Sequence, residues 1–223
     1  MAGWDNLYAE AAWLTWGQRP PLTVTLEWIR RLRLSGARRV YDMGCGLGRH
    51  SVCLGEEGLS VVATDISPRA VAATRQALSA RGLEAYVACA EMTSIPFPDE
   101  HVDGVLSIGV LEHGTRSAME QAVAEVLRVL RPGGLLLVSF TPRSRWIART
   151  ERPQDLLEDN TLRCYGPEQT VHHLVDEPEI RELLIDFLID SIDEQAGTCG
   201  GCTSLELFVS AQRPERQAPV VSR

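Results

Sequence analysis

Val40-Tyr41-Asp42-Met43-Gly44-Cys45-Gly46-Leu47-Gly48 is the stretch that decides the fold. Val40 and Tyr41 favour extended backbone. Alternate glycines then end the strand in a turn, where the missing Cβ atoms let a ligand approach the main chain. A helical pattern follows from Arg49 to Glu57. Strand, glycine turn and helix form the first unit of a nucleotide-binding α/β sheet, which takes its ligand beyond the carboxyl ends of the strands.

Working outward, the pattern repeats. Ser60–Asp65 is a β-branched run ending in an acid. Ser67-Pro68 opens a helix, with Ser at the cap and Pro in the first turn, and Gly82 ends it. Ala85–Cys89, Val102–Gly109 and Leu135–Phe140 read as the third, fourth and fifth strands. The helix over Ser117–Leu130 is stopped by Pro132-Gly133-Gly134. Strands alternating with helices predict parallel strands and helices on both faces. Asp176–Glu179 is a capping box that opens a short helix. Phe187–Ile192 and Leu205–Ala211 read as two strands whose short link predicts an antiparallel hairpin at the sheet edge.

The expected class is therefore α/β: a Rossmann-like, doubly wound, seven-stranded sheet, mostly parallel with an antiparallel last strand. One domain is expected over 1–223. Residues 1–36 form a helical leader, 37–141 a ligand-binding core, and 142–175 an excursion of little periodicity over the binding end. A helix and hairpin occupy 176–212, and 213–223 is a tail. In the leader, Trp4, Leu7, Tyr8, Ala11, Ala12 and Trp16 mark one amphipathic helix. Val24, Trp28, Ile29 and Leu32 mark a second, which Pro21 opens and Ser35-Gly36 ends.

Composition narrows the function. The 223 residues are 44% hydrophobic and 23% charged, ordinary values for a soluble globular chain. A net charge of −8 disfavours nucleic acid as a partner. Neither a secretory leader nor an apolar run of spanning length is present, so the expectation is a cytoplasmic protein without a membrane partner. The six cysteines are scattered through strand and helix patterns, which suits reduced thiols.

The ligand is read from the turn and its neighbours. An acid such as Asp65, at the end of the second strand, can accept hydrogen bonds from both hydroxyls of a ribose. A dinucleotide fingerprint needs Gly-x-Gly-x-x-Gly, but here Arg49 stands where its third glycine would fall. Asp42 sits near the strand end, where it would repel a pyrophosphate and suit a cationic group. The Walker lysine is missing. These residues favour a ribose-bearing, cationic ligand without phosphate, and S-adenosylmethionine meets all three conditions.

Residues 38 to 141 closely resemble the class I S-adenosylmethionine-dependent methyltransferases. Val40–Gly48 is similar to their first motif and Val61–Ser67 to their second. Ala90–Asp99 with Val102-Asp103, Leu111-Glu112-His113 and Glu125–Gly134 follow in order. Trp4-Asp5-x-x-Tyr8 and Trp16-Gly17-x-x-Pro20 loosely resemble the leader of tellurite-resistance and thiopurine-type small-molecule methyltransferases. The resemblance implies methyl transfer from S-adenosylmethionine, leaving S-adenosylhomocysteine, to a small-molecule acceptor. It implies that Gly44, Cys45, Gly46 and Gly48 line the methionine moiety, that Asp42 holds the amino group, and that Asp65 binds the ribose. Ile66 would pack on adenine, Glu91 and Met92 would contact its edge, and Ile108 would border the methionine end. Glu91 stands where many members carry Asp.

Several residues carry two readings. His113, just past the fourth strand, is a candidate general base or a structural residue. Trp4, Tyr8, Trp13 and Trp16 form a lid over the sulfonium, with Trp16 favoured, or pack the leader on the domain. Arg143, Arg145, Arg149 and Arg152 recognise an acidic substrate or line a charged loop. Cys199-Gly-Gly-Cys202 suits a hairpin tip better than a zinc or redox site, and no metal is expected. The rival function is a methyltransferase-like domain that binds the cofactor as a sensor or assembly partner without transferring methyl.

Overall fold

The structure is a computed structural model that describes residues 2–9, 19–144, 154–164, 170–199 and 202–216. Its main sheet has seven strands: β1 (Arg39–Met43), β2 (Ser60–Asp65), β3 (Ala85–Cys89), β4 (Val102–Ser107), β5 (Leu130–Phe140), β9 (Leu188–Cys199) and β10 (Cys202–Gln212). They lie in the order β3-β2-β1-β4-β5-β10-β9. The first five pair in parallel, and β10 runs antiparallel to both β5 and β9. Six helices accompany them among the described residues: α1 (Ala2–Leu7), α2 (Thr23–Leu34), α3 (Arg49–Glu56), α4 (Pro68–Ser79), α5 (Arg116–Val129) and α6 (Glu177–Leu183).

Strand alternation divides the core into two layers. Tyr41, Met43, Val105, Leu136 and Val138 face a cluster completed by Met119 and Val126 of α5 and Ile180 of α6. Val40, Leu106 and Leu137 face the other cluster, with Trp28 and Leu32 of α2, Leu54 of α3 and Leu78 of α4. Each fully buried side chain of this size contributes about 1.5–3 kcal/mol. The strand ends thereby sit on rigid supports.

Helix boundaries follow the capping chemistry. Ser67 accepts from the Ala70 amide, Thr115 from Ala118 and Asp176 from Glu179, each at a helix N-terminus.

Three sequence expectations are corrected. β4 ends at Ser107, because Gly109 leaves extended backbone at φ +69°. β5 starts at Leu130, since Pro132-Gly133-Gly134 is absorbed in a register shift opposite Val102 and Gly104. The excursion is also more ordered than its periodicity suggests. It contains an antiparallel sheet of β6 (Gln154–Glu158), β7 (Thr161–Cys164) and β8 (Val171–His173). Strands of three to five residues are too short for a period-2 pattern to stand out.

The closing hairpin forms as expected and runs longer. β10 pairs β5 only from Leu207, opposite Phe140, so the hairpin continues past the carboxyl end of β5 as a two-stranded arm. Cys199 and Cys202 are register partners at its end. No helix among the described residues is long and apolar enough to cross a membrane.

Candidate active site

The site lies beyond the carboxyl ends of β1 to β4, around a cavity of about 290 Å³. Its floor is built from four turns. After β1 the chain turns at Gly44, whose amide and that of Cys45 both donate to the Thr64 carbonyl, at 2.8 and 2.9 Å. Gly44 has φ +71°, and a Cβ there would lie 2.2 Å from Cγ2 of Val110. Glycine is thus required twice over, by backbone angle and by space.

Asp65 ends β2 and is held by the main chain. The Gly46 amide donates to Oδ2 and the Ser67 amide to Oδ1, both at 2.9 Å. Burial pushes its carboxyl above the usual range, while amide hydrogen bonds from Ser67, Gly46 and Ile66 pull the other way. Each oxygen retains a lone pair for a further donor.

Gly44, Asp65, Ile66, Glu91, Met92 and His113 all line the cavity. Asp42, Cys45, Gly46, Gly48 and Ile108 are not among its lining residues. Asp42 is buried beside the turn and accepts a hydrogen bond from Ser51 Oγ at 2.5 Å. Burial pushes its carboxyl up to about 6, with the Asp65 charge adding to the effect. Cys45 is buried in the α2–α4 core layer, and Ile108 packs against the same layer. Gly46 accepts from Thr74 Oγ1 at 2.9 Å, and Gly48 caps α3.

The cover comes from distant sequence. Trp4 and Tyr8 of the leader line the cavity. The Trp4 ring meets the His113 ring edge-on, with centroids 4.6 Å apart. Across His113 lies His172 of β8, also edge-on, at 4.4 Å. Burial holds the His113 imidazole well below its usual range, and His172 adds to this against backbone contacts from Val171 and Gly109. His113 is therefore neutral at neutral pH.

The three-stranded sheet is fastened beside it. The His173 amide donates to the Glu112 carbonyl at 2.8 Å, while its ring bridges Thr161 Oγ1 and Glu179 Oε1, at 2.5 and 2.6 Å. Alternation along β8 sets His172 against His113 and gives His173 to this anchor.

Sequence reasoning passed over Asp5, Val110 and His172. The Trp4-Asp5-x-x-Tyr8 pattern was the signal available for Asp5, and nothing local marked the other two. Trp13 and Trp16 lie outside the described residues, as do Arg145, Arg149 and Arg152. Arg143 forms ion pairs with Asp176 and Glu179 at 3.0 and 3.1 Å, which ties the start of the excursion to α6. Among the described residues no group of three or more His, Cys, Asp or Glu side chains is arranged to hold a metal ion.

Comparison with known proteins agrees with this geometry. Residues 41–138 match the family described as methyltransferase domain. The demethylmenaquinone methyltransferase of Thermus thermophilus is 37% identical over 125 residues, covering 52% of this chain and 55% of that protein. A probable S-adenosylmethionine-dependent methyltransferase of Mycolicibacterium smegmatis is 34% identical over 149 residues, covering 62% and 55%. The chain thus spans about half the length of these curated relatives.

Among solved structures, a methyltransferase from Methanosarcina mazei superposes with a TM-score of 0.69 at 24% identity, covering 80% of this chain and 93% of the other. A 1,6-didemethyltoxoflavin-N1-methyltransferase from Burkholderia thailandensis, with that compound and S-adenosylhomocysteine bound, gives 0.64 at 20% identity, covering 86% and 79%. These last two likenesses establish the fold. Residues 41–138 thus match a methyltransferase domain, and the motifs and sheet order around them are similar to those of the class I S-adenosylmethionine-dependent methyltransferases.

Proposed function

We propose that this chain transfers the methyl group of S-adenosylmethionine to a small-molecule acceptor. The observation that carries the reading is Asp65: a buried carboxylate fixed by two main-chain amides, at the wall of a cavity, beside a turn where a Cβ would clash. That arrangement fits a ribose with its two hydroxyls.

Asp65 would accept from the ribose, Ile66 would pack on the purine, and Glu91 and Met92 would meet its edge. Gly44 and Gly46 leave room for the methionine chain. Asp42 offers a negative charge beneath it, through the turn or a bridging water. When bound, the cofactor supplies an electrophilic methyl carbon on a positively charged sulfur, which departs with the bonding electron pair. The acceptor's lone pair forms the new bond, and neutral His113 takes the proton that the acceptor loses. Rate enhancement comes mainly from alignment of acceptor, methyl and sulfur, and the cover keeps water out.

A small acceptor is supported by the size of the cavity, about 290 Å³, by the net charge of −8 and by the 1,6-didemethyltoxoflavin bound in the Burkholderia neighbour. A cytoplasmic location belongs to the same proposal.

Calorimetry with S-adenosylmethionine and S-adenosylhomocysteine tests the cofactor assignment, and turnover against a panel of phenols, amines, thiols and heteroaromatics tests transfer. Binding of both ligands with no turnover on any class would favour the sensor reading. Failure of the folded chain to bind either ligand would sink both.

A further inference from the structure

We propose that Asp5 is a positioning residue for cofactor binding, one that latches α1 over the cavity through a hydrogen-bonded chain running Asp5–Ser67–Asp65–Gly46. The proposal rests on the reading of Asp65 as the ribose acid.

The chain of contacts is continuous. Asp5 Oδ1 accepts from Ser67 Oγ at 2.8 Å and from the Arg69 amide at 3.1 Å. Its Oδ2 accepts from Arg69 Nε at 3.0 Å. Ser67 is the N-cap of α4, and its own amide donates to Asp65 Oδ1. The second Asp65 oxygen accepts from Gly46. One capping serine therefore joins the leader acid to the acid expected to hold the ribose. A carboxylate at a helix N-terminus is also favoured by the helix dipole. The Ser67 hydroxyl, with the Arg69 amide and guanidinium, holds the Asp5 carboxyl below its usual range.

Asp5 matters because α1 is short, and it ties that helix to the N-terminus of α4. A helix of six residues is not stable alone. Leu7 is its buried apolar anchor, at 2% exposure. Trp4 and Tyr8, four residues apart, both turn to the cavity. Trp4 closes on His113, and the Tyr8 hydroxyl lies 3.2 Å from where a Cβ on Gly46 would be. A ligand seated on Asp65 and Ile66 is then covered on one side by these two rings, and its release is slowed while α1 stays in place. By linkage, the bound ligand must favour the closed position of α1 by the same free energy by which closure tightens ligand binding.

The test uses the full chain with S-adenosylhomocysteine as probe. Stopped-flow tryptophan fluorescence gives its dissociation rate, and hydrogen exchange follows residues 2–9 with and without ligand. Asp5→Ala is expected to raise the dissociation rate about tenfold, since a charge-assisted hydrogen-bond cluster is lost. Asp5→Asn retains an acceptor for Ser67 and the Arg69 amide, so it should recover much of that loss. Arg69→Ala removes one exposed contact and should change the rate about twofold.

An Asp5→Ala protein with parental dissociation and parental exchange at residues 2–9 would overturn the latch. So would exchange that rises uniformly across the sheet, which marks a general stabiliser. Asp65→Ala separates the two levels: if it binds the probe like the parent, the ribose assignment itself fails. If it binds weakly while Asp5→Ala is unchanged, only the latch fails.

Discussion

The floor and the cover of the cavity are built on different physics. The floor belongs to turns that directly follow β1, β2, β3 and β4, and main-chain amides do most of the fixing, as at Gly44, Cys45, Gly46 and Ser67. The cover arrives from α1, which docks by side chains, with Asp5 on Ser67 and Arg69. Behind His113 stands the β6–β8 sheet, held by the His173 ring on Glu179 and by one main-chain bond from the His173 amide to the Glu112 carbonyl. A floor made of backbone tolerates few residue types. A cover docked by side chains can change its residues while the floor stays as it is.

Breaking the floor should cost most. His113 joins floor and cover. Replacing it with Ala should reduce kcat by about 100-fold or more, as for loss of a general base, with S-adenosylhomocysteine affinity near the parental value. Because burial holds the His113 imidazole low, kcat at saturating cofactor should persist into mildly acidic solution, whereas cofactor affinity should fall as Asp42, raised to about 6, takes up a proton. Steady-state rates across pH check this. A parental kcat in the variant would return His113 to a structural role.

Next, Asp65→Ala should weaken cofactor binding by about 10- to 100-fold, since the two ribose contacts proposed for it would go and two backbone donors lose their acceptor. Calorimetry measures it directly.

Gly44→Ala strains a left-handed backbone position and drives a methyl into Val110. The expected destabilisation is about 2 kcal/mol, with binding impaired as well. A companion Val110→Ala substitution should relieve the steric part only, and chemical denaturation would resolve the two.

On the cover, Glu179→Gln weakens the anchor that joins His173, Arg116 and Arg143. The loss should be about 1–3 kcal/mol, felt first by the β6–β8 sheet. Burial alone would raise the Glu179 carboxyl, but hydrogen bonds from His173 and Arg116 hold it below the usual range. Its contribution is therefore complete above the unfolded carboxylate pKa and lost as pH falls through the lower folded value. Hydrogen exchange at 161–164 and 171–173 as the solution is acidified should report this, and exchange independent of pH would contradict it.

The smallest effect is expected outside both regions. Arg31→Ala removes an exposed pair with Asp190 and should shift stability by less than about 1 kcal/mol, within reach of a melting curve.

Legibility in the sequence tracks this division. The bounds of β2 read correctly because a β-branched run lies between Gly58 and Ser67-Pro68, the same pair that announced α4; β3 was placed by the Gly82 turn before it. Gly44, Asp65, Ile66, Glu91 and Met92 form part of local motifs, and the structure gathers them around one cavity. Trp4 and Tyr8 were visible as an amphipathic pair, but their destination was not. The expected weight on Trp16 fell outside the described residues, whereas Trp4 proved to be the aromatic against His113. His172-His173 carried no spacing to any partner, because its partners are Thr161, Glu179 and His113, brought near by folding.

By itself, then, the chain's sequence determined the α/β alternation, the glycine turn and the acid that follows it. Those features depend on backbone angles, caps and strand periodicity, all of which act over a few residues. Only the tertiary structure decided what closes the cavity: that Asp5 reaches Ser67 some sixty positions away, that Val110 sits against Gly44, and that β8 brings a second imidazole to His113. Such contacts are set by how separate surfaces dock, and no local pattern encodes docking.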